Sequence, residues 1–364
     1  MKRAGGLYFF YYAASAALFP FLVLHYETLG LTGGQIGLLV GLPPGLILVG
    51  AALWGAAADV TQRHRLALVL SIAATMGAVA TLSAVQGYML LIAVVAVLAL
   101  SQAPIMPLVD SSVMEMLGDG RQRYGRIRLW GAVGWGAAGP LAGSLVERFG
   151  LPWSFGLFLA LMSGCLLLAA TLPVAHAHIS GTFRNGLRAL MGNQPWRVFL
   201  LLAFVSGAGL AVVHHYLFLY LQGIGASKSL MGFALTIGTV SEMAVFYFSD
   251  RLLNRWGRRR LLIFSVLAGV VRVLAYSWVD TPGAALAVQL LHGPSFAIFW
   301  VAGVSYAHAL APPGLGATAQ AQFVGVNFGL GGATGALAGG FLYESLGLAL
   351  MYRWAAVWLL AGLA

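Results

Sequence analysis

Residues 139–150 read GPLAGSLVERFG, and residues 335–347 read GALAGGFLYESLG. In both, a Leu-Ala-Gly run is followed at nearly the same offset by a glutamate and then a glycine. Self-similarity at so large a separation points to a chain built from two related halves. A second pair agrees with the first. Gly55-Ala-Ala-Ala-Asp59 with Arg63 and Arg65 matches Asp250 with Arg255, Gly257, Arg258, Arg259 and Arg260, each just after the second apolar run of its half. Between the halves lies the longest non-apolar connection, roughly 176–196, with His176, His178, Arg184, Asn185 and Arg188. The expected organisation is an N-terminal half 1–175, a linker 176–196 and a C-terminal half 197–364.

Working outward from the repeats, apolar runs long enough to cross a ~30 Å hydrocarbon core fill the chain. They fall near 6–26, 34–57, 66–85, 88–114, 127–147 and 152–174, then 197–221, 229–248, 260–279, 284–308, 318–343 and 348–364. Only 8% of the residues are charged and 60% are hydrophobic. So few charges cannot solvate a surface of this size, which excludes soluble domains. The alternating ~10-residue segments of a barrel are absent, so the spans read as helices. The fold class expected is all-α integral membrane, with twelve transmembrane helices in two pseudo-symmetric six-helix halves. Rows of glycine, such as Gly131, Gly139 and Gly143 or Gly325, Gly329, Gly335 and Gly339, let such helices approach closely.

Charge sets the expected orientation. With the N-terminus in the cytoplasm, the inner segments hold fifteen basic residues, among them Lys2, Arg3, Arg63, Arg121, Arg184 and Arg258–Arg260, against Arg148, Lys228 and Arg353 outside. That bias predicts cytoplasmic N- and C-termini in an inner (plasma) membrane. It also accounts for the net charge of +10 without nucleic acid, because the positive loops face an anionic leaflet. The start, Met1-Lys2-Arg3, mimics a signal peptide, but the apolar run after it is too long. The twelfth span runs to Ala364 with no polar tail, so the chain reads as trimmed there. Cys165 stands alone, which leaves no disulfide framework and no cysteine metal cluster.

Several stretches carry a resemblance. GAAAD (55–59) with Arg63 and Arg65 resembles a degraded form of the major facilitator superfamily signature between helices two and three, and SDRLLNRWGRRR (249–260) is a fuller copy. PLVDSS (107–112) and YGRIRLWGAVGW (124–135) resemble the branch of oligosaccharide:proton symporters and phenylpropionate permeases. Asp110 and Arg128 have the eighteen-residue separation of that branch's acid and second arginine. VSEMAVFYFSDRL (240–252), GVVRVLAYS (269–277) and LLHGPSFAIFW (290–300) are similar to the phenylpropionate permeases. The resemblance implies a facilitator fold with a midplane site between the halves. The chain departs from the sugar-symporter pattern at Ser295, where that pattern has a glutamate three residues after the histidine, here His292. If protons are coupled, another carboxylate must carry them.

An ionisable group inside a span costs a few kcal/mol unless it is paired or faces water, so each is a functional candidate. Glu242 and Arg272 both fall in the middle band of the bilayer. They read either as a buried ion pair fixing two helices or as a titrating pair at the substrate cavity. Asp110 and Arg128 read as boundary residues reaching for the interface, or, given the resemblance, as substrate contacts. His292 is a candidate for substrate hydrogen bonding or proton relay, as is one of the adjacent His214 and His215, which point about 100° apart on one helix. The ring-rich run Tyr8, Phe9, Phe10, Tyr11 and Tyr12 suits stacking on a ring substrate or packing against lipid. Asp59, Arg63, Asp250 and Arg258 are expected at the inner helix ends, as gating latches.

The function expected is secondary active transport of a small organic solute by alternating access, as a monomer and coupled to protons, with an aromatic acid or a saccharide as substrate. An exporter of hydrophobic compounds on the same fold is the competing reading. An enzyme is disfavoured by the lack of any H-E-x-x-H spacing, phosphate-cradling loop or nucleophile motif, so no cofactor or metal is expected. A channel is disfavoured because two unequal halves are not a ring of identical subunits.

Overall fold

The computed structural model describes residues 2–61, 63–117, 124–171, 190–312 and 315–363, with all side chains in these ranges except those of 52, 55–61 and 317. Every regular element among them is helical. The first stretch of chain gives α1 (Lys2–Thr28), α2 (Gly33–Thr61), α3 (His64–Leu82), α4 (Tyr88–Gln102), α5 (Ile105–Leu117), α6 (Tyr124–Phe149) and α7 (Pro152–Ala170). The second gives α8 (Gln194–Gly223), α9 (Lys228–Tyr247), α10 (Ser249–Trp256), α11 (Arg258–Trp278), α12 (Pro282–Val288) and α13 (Ile298–Leu310). Last come α14 (Gly316–Val324) and α15 (Gly332–Ala361). Two irregular stretches interrupt this sequence, a tight turn at Gln289–Leu291 with a π turn at Gly293–Ala297, and a second π turn at Gly325–Gly331.

Against the twelve spans expected, nine stretches of the described residues are long and apolar enough to cross a membrane. The shortfall has local causes. Glycine dilutes the hydropathy of α6 and of the stretch after Gly316. The two spans expected at 318–343 and 348–364 run together in α15, which is broken at Gly347 (φ 78°, ψ 170°). Gly150, the counterpart of Gly347 in the repeat, also has a left-handed φ of 93° and separates α6 from α7. L-residues with a Cβ rarely adopt this conformation, so glycine is what ends the helix in both copies.

The described chain gathers into two compact units. The first holds Met1–Leu31, Leu42–Ile179 and Ser227–Thr236; the second holds Thr32–Gly41, Ser180–Ala226 and Ile237–Ala364. Each unit therefore includes a ten-residue segment from the other half of the sequence (32–41 and 227–236). In the first unit α1 packs against α6 and α7. A Cβ on Gly134 would run into the Phe9 carbonyl, and one on Gly131 into the Tyr12 ring. In the second unit Gly331 and Gly335 lie against the backbone of Phe204 and Ala208 on α8. With lipid as apolar as leucine, such close backbone contact supplies the dispersion energy that associates the helices.

The exchanged segments are capped by the repeated glutamates. Glu147 Oε2 accepts a hydrogen bond from the Ser229 amide at 2.9 Å in the first unit. Glu344 Oε2 accepts one from the Gly34 amide at 2.7 Å in the second. Each carboxylate satisfies an orphan N–H in the first turn of a helix and meets the positive end of its dipole.

Candidate substrate and coupling sites

In the first unit α5 presents Asp110 and α6 presents Arg128, joined at 3.0 Å through Oδ2 and a guanidinium nitrogen. Tyrosines enclose the pair. Tyr8 donates to Asp110 Oδ1, and Tyr124 donates to the same oxygen at 2.9 Å. Arg128 donates to the Tyr124 hydroxyl at 2.7 Å and reaches the Tyr12 hydroxyl at 3.5 Å. Tyr8 and Tyr12 are one turn apart on α1, as are Tyr124 and Arg128 on α6, so both pairs share a helix face. Three phenols thus hold one ion pair whose side chains stay partly exposed, 44% for Arg128 and 30% for Asp110. The arrangement can offer a solute a guanidinium edge and a carboxylate.

In the second unit Arg272 on α11 is buried, 4% exposed. It donates to Gln289 Oε1 at 2.7 Å, to His292 Nδ1 at 3.0 Å and to Ser295 Oγ at 3.3 Å. Glu242 on α9 does not pair with Arg272 directly. Its Oε2 lies 3.6 Å from His292 Nε2, so the imidazole stands between acid and base. A guanidinium has no lone pair to give, so Nδ1 must accept and the neutral ring carries its proton on Nε2, facing Glu242. The direct ion pair expected from helix depth is therefore replaced by a chain, Glu242–His292–Arg272. Depth along a helix sets height but not rotation, and the irregular backbone at 289–297 is what turns His292 inward.

That irregularity has a local origin. Pro294 has no N–H to give the helical ladder. On α9, the Ser241 hydroxyl donates to Leu290 O at 2.5 Å and accepts from Gly293 N at 3.0 Å, filling the broken positions. Gly293 lets the two backbones meet, since a Cβ there would strike Ser241. A π turn inside a helix is a frequent mark of a functional site. Ser295, in the place of the sugar symporters' glutamate, is fully buried and bonds to Leu291 O at 2.6 Å.

The remaining candidates are less gathered. His214 is exposed, with its ring 5.0 Å from that of His215, and lies within electrostatic range of His292 and Arg272. Arg63 is exposed just before α3, and Asp250 is exposed on α10. Arg258 begins α11 and donates from Nε to Ser305 Oγ at 3.0 Å, and no ion pair among the described residues joins it to Asp250. The side chain of Asp59 lies outside the described residues, and of the linker 176–196 only 190–196 lies within them.

Sequence reasoning misses Tyr124, Gln289 and Ser241. Tyr124 and Gln289 stand one turn from Arg128 and His292, and that spacing is the signal that marks them, whereas Ser241 is adjacent to Glu242 and no helical spacing singles it out. Tyr8 and Tyr12 are legible only as rings, whereas their hydroxyls face the ion pair.

The model of the MFS_1 like family matches residues 2–354. The maltose permease of Geobacillus stearothermophilus is 29% identical over 98% of this chain and 91% of its own length. The probable 3-phenylpropionic acid transporter of Escherichia coli (strain K12) is 28% identical over 93% of this chain and 90% of its own. Among solved structures, the nucleoside transporter NupG superposes with a TM-score of 0.87 at 18% identity, covering 99% of this chain and 97% of that one. The fold is therefore that of the major facilitators.

Proposed function

The chain belongs to the MFS_1 like family, a multi-pass membrane transporter of small solutes, and from that premise we propose that it accumulates a small organic solute by proton symport. The observation that carries this reading is the chain Glu242–His292–Arg272. Glu242 is partly exposed and lies beside the imidazole rather than the guanidinium, so its carboxylate can take a proton without giving up an arginine contact. His292 cannot hold a second proton on Nδ1 while Arg272 donates there, which leaves the carboxylate as the group that gains and loses charge. Protonation of Glu242 leaves the positive charge of buried Arg272 without a nearby anion, and the site then favours a solute with negative or electron-rich groups. Release of the proton on the other side reverses that preference, which is what coupling requires.

The solute classes follow from the relatives, a maltose permease and a probable 3-phenylpropionic acid transporter. A saccharide or an aromatic acid is the substrate, and Asp110 and Arg128 contact it. Asp59, Arg63, Asp250 and Arg258 act on the inner face as gates. The protein works as a monomer in the inner membrane with both termini in the cytoplasm, and it transforms nothing. The test is uptake of a panel of labelled sugars and aromatic acids by right-side-out vesicles, with and without a pH gradient. Glu242→Gln is expected to abolish gradient-driven accumulation while exchange of solute across the membrane continues. Accumulation at the wild-type level in that variant overturns the proposal.

A further inference from the structure

Beyond His292 the second unit turns aromatic. Phe296, one turn further on, stacks on the imidazole with centroids 5.2 Å apart and planes 15° apart. Phe328, in the π turn before α15, meets Phe296 edge-on at 6.1 Å and Trp300 at 5.6 Å. These rings are not core. Phe328 is 43% exposed, and Phe296 and Trp300 are half-buried, whereas Phe299 and Phe323 beside them are 3% and 0% exposed. An aromatic wall is therefore continuous with the polar chain at His292, and part of it is not covered by protein.

The polar groups nearby decide what such a wall can take. The terminal nitrogens of Arg272 already donate to Gln289, His292 and Ser295. The hydroxyls of Ser241 and Ser295 are each bonded to backbone. Beside these spoken-for groups stand the ring surface, the Glu242 carboxyl, the exposed His214 and the unpartnered Arg272 Nε. A polyol laid against the rings would find few hydrogen-bond partners on that face, which is unfavourable for each hydroxyl it takes from water. A flat ring gains offset or edge contacts with all three side chains.

We propose that Phe296, Trp300 and Phe328 form a ring-binding subsite that selects a small aromatic solute, its ring on this wall and its polar end toward Glu242 and His292. The inference rests on the reading of Glu242–His292 as part of the transport site, and it chooses the aromatic class over the saccharide.

Equilibrium binding to the purified protein tests it without any gradient. The probes are labelled benzoate and 3-phenylpropionate, their saturated counterparts cyclohexanecarboxylate and 3-cyclohexylpropionate, and maltose. The expected result is a preference for the aromatic member of at least one pair. Phe296→Leu and Phe328→Leu should each weaken that probe by roughly two- to tenfold, with its saturated counterpart less affected. Phe328→Tyr should restore binding, and the thermal midpoint of Phe328→Leu should stay near wild type because the ring is partly exposed. No aromatic preference in either pair, including no binding of any aromatic probe, overturns the proposal, as does tight binding of maltose that the Leu variants weaken equally. Aromatic binding that persists in a protein with no gradient-driven uptake would reject the coupling reading and leave the subsite standing.

Discussion

Arg272 is a buried cation whose three hydrogen-bonding partners are all neutral, and Glu242 stands on the far side of one of them, His292. Arg272→Ala leaves Gln289 and His292 without their donor, and it should destabilise the protein by about 1–3 kcal/mol, the cost of buried acceptors left unsatisfied. The pair Glu242→Gln with Arg272→Gln carries no unmatched charge and should recover part of that loss. Thermal midpoints of the detergent-solubilised single and double variants provide the check; a double variant less stable than Arg272→Ala would mean the two charges are not linked. At this scale the sequence is half legible. Ionisable residues in apolar runs announce themselves, and the eighteen-residue separation of Asp110 and Arg128 anticipates a pair that the structure joins at 3.0 Å. The partners that hold those charges are ordinary tyrosine, serine and glutamine, whose role depends on helix rotation. A backbone that departs from 3.6 residues per turn at 289–297 removes the rotation from view.

Among the helices, glycine separates contact faces from lipid faces more sharply than hydrophobicity does. Gly335 lies against the Ala208 backbone, and a Cβ there has no flexible neighbour to displace. Gly77 on α3 and Gly156 on α7 face open space. Gly335→Val should therefore cost about 1–3 kcal/mol or more through overpacking against backbone. Gly77→Ala and Gly156→Ala should be neutral or raise stability by up to about 1 kcal/mol, since alanine is the better helix former. Melting of the purified variants distinguishes these outcomes, and equal effects at the three sites would contradict the packing described. The presence of helices is plain in the sequence because apolar runs of this length have few alternatives in a membrane. Their number is less plain. Glycine both enables the contacts and lowers the hydropathy by which a span is recognised, so α6 and the stretch from Gly316 fall below what length alone would suggest.

For the whole molecule, the basic bias of the loops predicts that a tag inserted in 176–195 reports from the cytoplasm and one beside Lys228 from outside. Impermeant labelling of intact cells decides it, and both tags on one side would refute the six-and-six arrangement. The two related halves are legible in the repeats around Glu147 and Glu344, but the crossing of 32–41 and 227–236 into the opposite compact units is not, because no local pattern marks which body a helix end joins. That crossing has a consequence for synthesis. The Gly34 amide is made 310 residues before the carboxylate that caps it, and the Ser229 amide 82 residues after its own. At roughly 5–20 residues per second, the first turn of α2 waits roughly 15 to 60 s for Glu344, while Glu147 is already in place when Ser229 emerges. Until then the Gly34 N–H needs water, which keeps that end of an early-inserted helix at the bilayer surface. The second helix to enter the membrane is thus among the last to be finished, and a ribosome-stalled chain ending before Glu344 should still expose residues 32–41 to protease.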